Sequence, residues 1–279
     1  MLRKCFLIHY LIVVSIVANA QNVLNEDQGG AHKRHINQER KPISYPYLRE
    51  ADVMWSKVIW RAIDLRQKFN LPLFYPSQRH TNYKSLFDVI VDGISDGTIT
   101  AYDPINDHFS NPMTASEALD KLKKISVEKF IHFETGEEYE DSIVEEISSA
   151  DLRRYELKEE WYIDKQRSSM GVRIIGICPQ IVKKDEYGNE IGRERLFWIY
   201  FPQARHVFAS QSVFMRKNDG QRLTYDDIFW KRMFHSYITK ESNVYDRAIH
   251  EYKTGIAIQL ESEKIKNGLR NFESDLWSY

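Results

Sequence analysis

The hydrophobic positions between Glu50 and Lys68 repeat with a helical period. Apolar side chains recur at the spacing i, i+3, i+4, i+7 and i+8, at Trp55, Val58, Ile59, Ala62 and Ile63. This spacing places them on one side of a helix, and Pro72 follows as a stop signal. The pattern therefore predicts that the ordered part of the chain begins with an amphipathic helix.

The second half of the chain carries the clearest strand signal. Residues 171–182 and 193–201 are rich in β-branched and aromatic side chains, and the polar segment 185–190 between them is typical of a hairpin connection. The run from Leu196 to Phe201 is apolar at every position, as in a strand that is covered on both faces. Residues 206–214 are predicted to add a third strand.

Further helices are predicted on either side of this sheet. They cover Leu86–Ser95 after a capping Ser85, Thr114–Lys124, Ser149–Trp161, a segment that begins at Thr224, and a last segment from about Tyr245 past Leu260. The predicted fold class is therefore α+β, with an antiparallel sheet over about 171–214 and helices N- and C-terminal to it.

The N-terminal part of the chain has the features of an exported protein. Residues 1–20 combine a short positive region, an apolar run and the small-x-small pattern at Ala18-Asn19-Ala20, which predicts a signal peptide cleaved after Ala20. Residues 21–46 are polar and are expected to form a flexible arm. Residues 47–279 are expected to form a single domain, with a possible division into a helical half (47–165) and a sheet-containing half (166–279).

Charge and cysteine content exclude several classes of function. Lys and Arg number 39 against 40 Asp and Glu, so no overall positive field favours nucleic acid. Of the two cysteines, Cys5 lies in the predicted signal peptide and Cys178 lies in an apolar strand. A disulfide scaffold and a thiolate zinc site are therefore excluded. The position after the cleavage site is Gln21 and not cysteine, so no lipid anchor is expected.

Motifs for cofactors and metal ions are missing from the sequence. Neither G-x-G-x-x-G nor G-K-[ST] occurs. The histidines form neither H-x-H nor H-E-x-x-H. We therefore predict no catalytic residue, no cofactor and no metal site, and we interpret Cys178 as a small buried hydrophobe.

The first predicted helix carries one candidate binding residue. At 100° per residue, Lys57, Trp60, Arg61 and Asp64 gather on the side opposite the apolar stripe, together with Val53. A tryptophan among charges on an exposed face is typical of a protein interface. The alternative is that the arm or a neighbouring loop covers Trp60. We state both.

An acidic segment offers a second candidate surface. Residues 134–146 contain seven carboxylates and no base, and the interface candidates among them are Glu137, Glu138, Glu140 and Asp141. One interpretation is a solvated acidic surface, and another is a docking strip for a basic partner. A glycoside hydrolase that uses Glu137 or Glu138 with another carboxylate is an alternative function. A carbohydrate- or peptide-binding module is a further one, if Trp198 and Tyr200 are both exposed.

Two long motifs closely resemble the GldN/PorN family of gliding-motility and type IX secretion proteins. The first runs from Arg49 to Leu73 and the second from Leu157 to Ser168, continued by Val172 to Ile177. Tyr162-Ile163 stands where Tyr-Phe is commoner in the family, which is a mild departure. The resemblance extends from about Tyr45 to the final helix.

The resemblance implies a structural function in the periplasm, at the inner face of the outer membrane. A member of this family is expected to assemble with copies of itself and with a lipoprotein partner similar to GldK/PorK into a ring. That ring is expected to engage the periplasmic domain of an inner-membrane motor protein similar to GldM/PorM, and so to serve protein export across the outer membrane. The resemblance implies no catalytic residue, no nucleic-acid partner and no membrane anchor of the chain's own.

Overall fold

The computed structural model describes residues 40–80, 83–131, 138–184, 189–215 and 223–276, which all belong to one compact unit. The strands are β1 (Val53–Asp64), β2 (Ala101–Tyr102), β3 (Lys123–Ile131), β4 (Glu138–Glu146), β5 (Leu152–Asp164), β6 (Ser169–Lys184), β7 (Glu190–Arg195), β8 (Trp198–Tyr200) and β9 (Tyr237–Glu241). The helices are α1 (Leu71–Phe74), α2 (Leu86–Ser95), α3 (Ala115–Asp120), α4 (Phe201–Ser210), α5 (Tyr225–Trp230), α6 (Ile249–Tyr252) and α7 (Ile256–Asp275). Single 3-10 turns lie at Glu50–Asp52, Lys68–Asn70 and Ser149–Asp151.

Seven of the described strands form one antiparallel sheet. Their order is β2-β8-β6-β5-β1-β9, and β7 pairs with the distal part of β6. The two longest strands, β5 and β6, lie side by side at its centre. Strands β3 and β4 pair only with each other among the described residues and form a separate hairpin. This antiparallel sheet with helices around it confirms the predicted α+β class.

The main hydrophobic core lies between this sheet and helices α2, α4 and α5. It includes Ile63, Leu157 and Ile177 from the sheet and Phe87, Ile90, Phe201, Phe208 and Phe229 from the helices. The ring centroids of Phe201 and Phe229 are 5.2 Å apart in an edge-to-face arrangement. A smaller cluster joins Ile59 and Ile238 of the sheet to Leu269, and so attaches α7 to β1 and β9.

Several helix starts were predicted correctly because they depend on local hydrogen bonds. Ser85, Thr114 and Thr224 each cap a helix through a reciprocal capping box with the acidic residue three positions later. Helix α3 ends at Asp120, earlier than predicted, and is followed by the hairpin.

The predicted first helix is wrong, because residues 53–64 form strand β1. This strand lies between β5 and β9, and Ile59 to Ile63 are buried at every position. A strand that is covered on both faces is apolar at consecutive positions, so its sequence also satisfies a helical spacing. Single-sequence periodicity does not distinguish the two, and pairing on both edges decides for the strand.

Two further elements differ from their predictions. Residues 152–164 form the central strand β5, although a helix was predicted over Ser149–Trp161. Residues 201–210 form helix α4, although a strand was predicted over 206–214. Pro202 stands in the first turn of α4, where proline favours a helix start. The sheet consequently extends well beyond 171–214.

The possible division at residue 165 is also wrong. Strands β1 and β5 precede this position and pair with β9 and β6, which follow it, so one sheet contains both parts. The predicted signal peptide and residues 21–39 of the predicted arm lie outside the described residues. Residues 40–46 were predicted to belong to the flexible arm, but they pack against the body of the protein through side chains that the next subsection describes.

Candidate interaction surfaces

The side chains of β1 alternate between the two faces of the sheet. Lys57 and Arg61 therefore lie on one face, whereas Trp60 and Asp64 lie on the other. The four predicted interface residues do not form one exposed surface, and Trp60 is only 7% exposed. The premise of a solvent-facing tryptophan is wrong. Trp60 has instead the environment of the stated alternative, a tryptophan covered by a loop.

The loop between β2 and α3 covers Trp60. The indole Nε1 donates a hydrogen bond to Asp107 Oδ2 over 2.7 Å. The ammonium nitrogens of Lys158 and Lys240 lie 5.5 and 4.5 Å from the centre of the indole ring. Charges do surround this ring, as the sequence predicts, but they come from β5, β9 and a loop, and they hold Trp60 inside the fold.

Asp107 connects this loop to the sheet electrostatically. Lys158 Nζ lies 3.3 Å from Asp107 Oδ2 and donates a hydrogen bond to the Asp107 carbonyl oxygen over 2.8 Å. Burial by itself would raise the pKa of Asp107. The charge of Lys158 and the hydrogen bonds from Trp60 and Lys158 outweigh burial, so the pKa of Asp107 is lowered.

An aromatic group from the same loop completes the cover. Phe109 makes edge-to-face contacts with Tyr102, Trp198 and Tyr200. Trp198 is fully buried, and only Tyr200 is exposed, at 39%. This finding contradicts the binding module that required Trp198 and Tyr200 to be exposed together.

Cys178 belongs to the same cluster as Trp60 and Trp198 and is also fully buried. Burial raises the pKa of its thiol well above the ordinary value, so the thiol is held in its neutral form. The interpretation of Cys178 as a small hydrophobe is confirmed.

The other predicted interface residues of β1 have partners within the protein. Lys57 Nζ lies 2.7 Å from Glu241 Oε2 at the partly exposed edge of the sheet. Arg61 is buried and donates a hydrogen bond from Nε to Ser236 Oγ over 2.9 Å. Asp64 accepts hydrogen bonds from the guanidinium and the backbone N–H of Arg66. The bonds from the guanidinium contribute most to lowering the pKa of Asp64.

Buried ion pairs within the sheet and helices were not foreseen from the sequence. Glu156 in β5 receives two hydrogen bonds from Arg195, over 2.8 and 2.9 Å. Arg205 in α4 binds Asp226 in the same bidentate manner, and both side chains are at least 93% buried. No short sequence motif indicates these pairs, because the two residues of each pair are 21 or 39 positions apart in the chain.

Residues 40–46 form a strap across the surface at α4 and α5. Arg40 Nη2 lies 2.8 Å from Asp227 Oδ1, and the Pro46 carbonyl oxygen accepts a hydrogen bond from Arg173 over 3.1 Å. Between these ends, the ring of Tyr45 lies 4.4 Å from the Arg205 guanidinium and 5.6 Å from the ring of Trp230. The Tyr45-Pro46 pair is the sequence signal that the segment is not an ordinary flexible arm.

An arginine-lined pocket lies where the ends of β1, β5, β6, β7 and β9 meet. Its lining includes Arg66, Arg153, Arg154, Arg193, Asp64 and Glu190. We call this group the arginine pocket. Arg66 is paired with Asp64, and Arg153 lies 3.5 Å from Glu190. Arg154 donates hydrogen bonds to the neutral side chains of Gln180 and Tyr237.

The predicted acidic strip forms part of the hairpin of β3 and β4. Glu138, Glu140 and Asp141 lie in β4, and Glu137 lies outside the described residues. The register places Lys129 opposite Glu140 and Glu128 opposite Asp141. The predicted site residues therefore lie in two separate places. The carboxylates belong to the hairpin of β3 and β4, whereas Lys57, Trp60, Arg61 and Asp64 belong to β1 of the main sheet.

The described ranges contain neither a metal-ligand cluster nor a membrane-spanning helix. No group of three or more His, Cys, Asp and Glu side chains there is arranged to hold a metal ion. No helix in the same ranges has both the length and the apolar character that crossing a membrane requires.

Comparison with known proteins gives one family match. The model of the family described as gliding motility associated protein GldN matches residues 48–278, which include the whole sheet and helix α7. Comparison with curated proteins gives no match.

Proposed function

This chain belongs to the GldN family of gliding motility associated proteins, and on this premise we propose that it is a non-enzymatic structural subunit of the gliding-motility and type IX secretion machinery. The family match over residues 48–278 is the observation that carries the proposal. After removal of residues 1–20, the protein acts in the periplasm at the inner face of the outer membrane. It forms a ring with a lipoprotein similar to GldK/PorK, and this ring engages the periplasmic domain of a motor protein similar to GldM/PorM.

The distribution of buried charge supports a structural function. The carboxylates of Glu156 and Asp226 are each neutralised by a bidentate arginine, and partly buried Asp107 is bound by Trp60 and Lys158. A catalytic acid or base must be able to exchange its proton with a substrate. These carboxylates instead stabilise contacts between elements of the fold.

The hydrolase alternative has less support than the structural one. A glycosidase acid needs an apolar pocket to raise its pKa, and Glu138 lies in a two-stranded hairpin, an arrangement that encloses no interior of its own. The second residue of the suggested pair, Glu137, lies outside the described residues.

A deletion experiment tests the proposed function. The gene is deleted in the source bacterium and restored either as the full chain or as a chain without residues 1–20, which should remain in the cytosol. We expect deletion to abolish spreading and cargo secretion, and only the full chain to restore both. The restored protein, cross-linked in cells, should co-purify with the lipoprotein and the motor protein. A deletion strain that secretes and spreads normally would overturn the proposal, as would a purified protein that turns over a glycoside.

A further inference from the structure

The arginine pocket collects more positive than negative charge. Among the described residues, four guanidinium groups and two carboxylates line it, together with the neutral side chains of Val182 and Tyr237. At neutral pH arginine is protonated, and carboxylates among arginines are ionised. These described side chains therefore carry two net positive charges. The groups come from the ends of five strands, so the tertiary structure concentrates this charge and no basic run in the sequence does.

Both of these carboxylates are already bound by arginine. Asp64 Oδ1 accepts hydrogen bonds from the backbone nitrogen and Nε of Arg66 over 3.0 and 3.1 Å, and Oδ2 accepts one from Nη2 over 2.8 Å. Arg193 lies near enough to Asp64 to stabilise its charge as well. Glu190 Oε1 lies 3.5 Å from Arg153 Nη2. Asp64 is thus shared between two arginines, and the two described carboxylates together do not balance four guanidinium groups.

Arg154 is held in a fixed orientation within this group. It stands opposite Asp64 of β1 and opposite Gln180 of β6 in the register of the sheet. Its Nε donates a hydrogen bond to the side-chain oxygen of Gln180, and its Nη1 donates one to the Tyr237 hydroxyl over 3.0 Å. Both acceptors are neutral, and Gln180 is buried. These bonds therefore fix the plane of the guanidinium and leave its charge in place.

The charge and geometry of the pocket fit a phosphate group better than a carboxylate. Guanidinium groups bind both anions through paired N–H donors. A carboxylate offers one negative charge and two oxygens in a plane, which a single arginine can engage. A phosphate monoester carries about 1.5 to 2 negative charges at pH 7 and three acceptor oxygens that point in different directions. Two net positive charges that are distributed over several strands match the phosphate group.

From these observations we infer that the arginine pocket is a binding site for a doubly charged phosphate group, with Arg154 and Arg193 as donors to its oxygens. Inorganic phosphate, a soluble phosphate monoester and a lipid headgroup of the same type share this chemistry. Arg66 and Arg153 keep their carboxylate partners and contribute charge. A bound anion reduces the repulsion among the four guanidinium groups and so stabilises the folded chain. The inference goes beyond the proposed function and does not depend on it, because it concerns only the side chains of this pocket.

Isothermal titration calorimetry on the purified chain of residues 21–279 tests the site. The probe is inorganic phosphate, and acetate at the same ionic strength is the control anion. We expect saturable binding of phosphate and no saturable binding of acetate. Arg154→Gln should weaken phosphate binding by about tenfold or more, the size of one charge-assisted hydrogen bond. Arg270→Gln removes the same charge at an exposed position of α7 and should leave the affinity unchanged. Equal affinity for acetate would contradict the preference for a doubly charged anion.

Two further variants keep the test decisive if Arg154→Gln unfolds the chain. Arg193→Gln changes an exposed side chain of β7 and should also weaken phosphate binding. Glu190→Gln removes a carboxylate of the pocket and should tighten binding by about threefold, in the range of an exposed ion pair. A purely structural role of these residues does not predict opposite effects of the two neutralisations. Unchanged phosphate affinity in both variants would overturn the inference, as would a parent chain that binds no phosphate.

Vesicles distinguish a lipid headgroup from a soluble phosphate. Phosphatidylcholine vesicles with phosphatidic acid present a phosphate monoester, whereas phosphatidylglycerol at equal surface charge presents a diester. Co-sedimentation with phosphatidic acid that inorganic phosphate competes and Arg193→Gln weakens would assign the lipid. Phosphate binding without co-sedimentation would assign a soluble anion. Equal co-sedimentation with both kinds of vesicle would contradict recognition of the doubly charged group.

Failure of this inference and failure of the proposed function are distinguishable. A chain that binds no phosphate but restores secretion to the deletion strain would overturn the inference and leave the proposed function standing. A deletion strain that needs no complementation would overturn the proposed function, and the phosphate measurements on the purified chain would keep their meaning.

Discussion

Phe109 packs its ring directly over the α-carbon of Gly176. A Cβ atom placed on Gly176 would lie 2.4 Å from Phe109 Cζ, which is closer than nonbonded carbon atoms approach. Phe109 itself has a positive φ of 57°, so the loop that covers Trp60 turns sharply where its aromatic anchor enters the sheet. The position of this loop therefore depends on the missing side chain at residue 176.

Gly176→Ala should destabilise the protein by about 1–3 kcal/mol, because the ring of Phe109 must move within a packed cluster. The measurement is the midpoint of urea unfolding followed by tryptophan fluorescence. Gly192→Ala is the matched control, since nothing lies within 4 Å of a Cβ at that position. Equal effects of the two substitutions would mean that Phe109 is not held in place by this contact.

Trp60→Ala should lower the free energy of unfolding by about 3–5 kcal/mol, because it empties a buried site. Trp60→Phe should lower it by about 1.5–3 kcal/mol, since it retains an aromatic ring but leaves Asp107 without its indole donor. Met54→Ala, in the same strand but 65% exposed, should have little effect. Chemical denaturation measures all three. If Trp60→Ala weakens assembly without altering stability, Trp60 belongs to an interface after all.

The stability of the protein should fall in acid below about pH 4, the ordinary range of aspartate. The pKa values of Asp64, Asp107 and Asp227 are lower in the folded chain than in the unfolded chain. Their stabilisation is therefore complete above the unfolded pKa and is lost as the pH falls through the folded pKa. Urea unfolding at a series of pH values measures this slope.

Asp107→Asn isolates the contribution of one carboxylate to the acid response. The variant should be less stable than the parent at pH 7, and the difference should shrink as the pH falls. Asp96→Asn, at an exposed position after α2, is the control substitution. A difference between Asp107→Asn and the parent that is constant over pH would show that the charge of Asp107 does not stabilise the loop.

Tyr45→Ala should release the strap, because the ring of Tyr45 supplies its contacts with Arg205 and Trp230. A released segment is cleaved by proteases faster than a docked one. Limited trypsin digestion with mass spectrometry should therefore show faster cleavage after Arg40. Tyr47→Ala removes a neighbouring tyrosine that is 84% exposed and should leave the rate unchanged. Equal rates in both variants and the parent would contradict docking of the strap.

The sequence alone determined the features that depend on neighbouring residues. Helices α2, α3 and α5 begin at Ser85, Thr114 and Thr224, since a capping box is a hydrogen-bond pattern within four positions. The two motifs that resemble the GldN/PorN family are also present in the sequence itself, and the family match confirms the membership that they indicate. Cys178 was identified as buried from the apolar residues on either side of it.

Only the tertiary structure decided what depends on distant partners. The sequence predicts helices where strands β1 and β5 lie, because a run of buried residues fits both periods until the neighbouring strands are known. The sequence leaves open whether Trp60 is exposed or covered by a loop, because the residue that binds its indole, Asp107, is 47 positions away. The arginine pocket likewise assembles from five separate strands. Burial is a property of the packed sheet, so local spacing could indicate which residues are apolar or charged but not which of them meet.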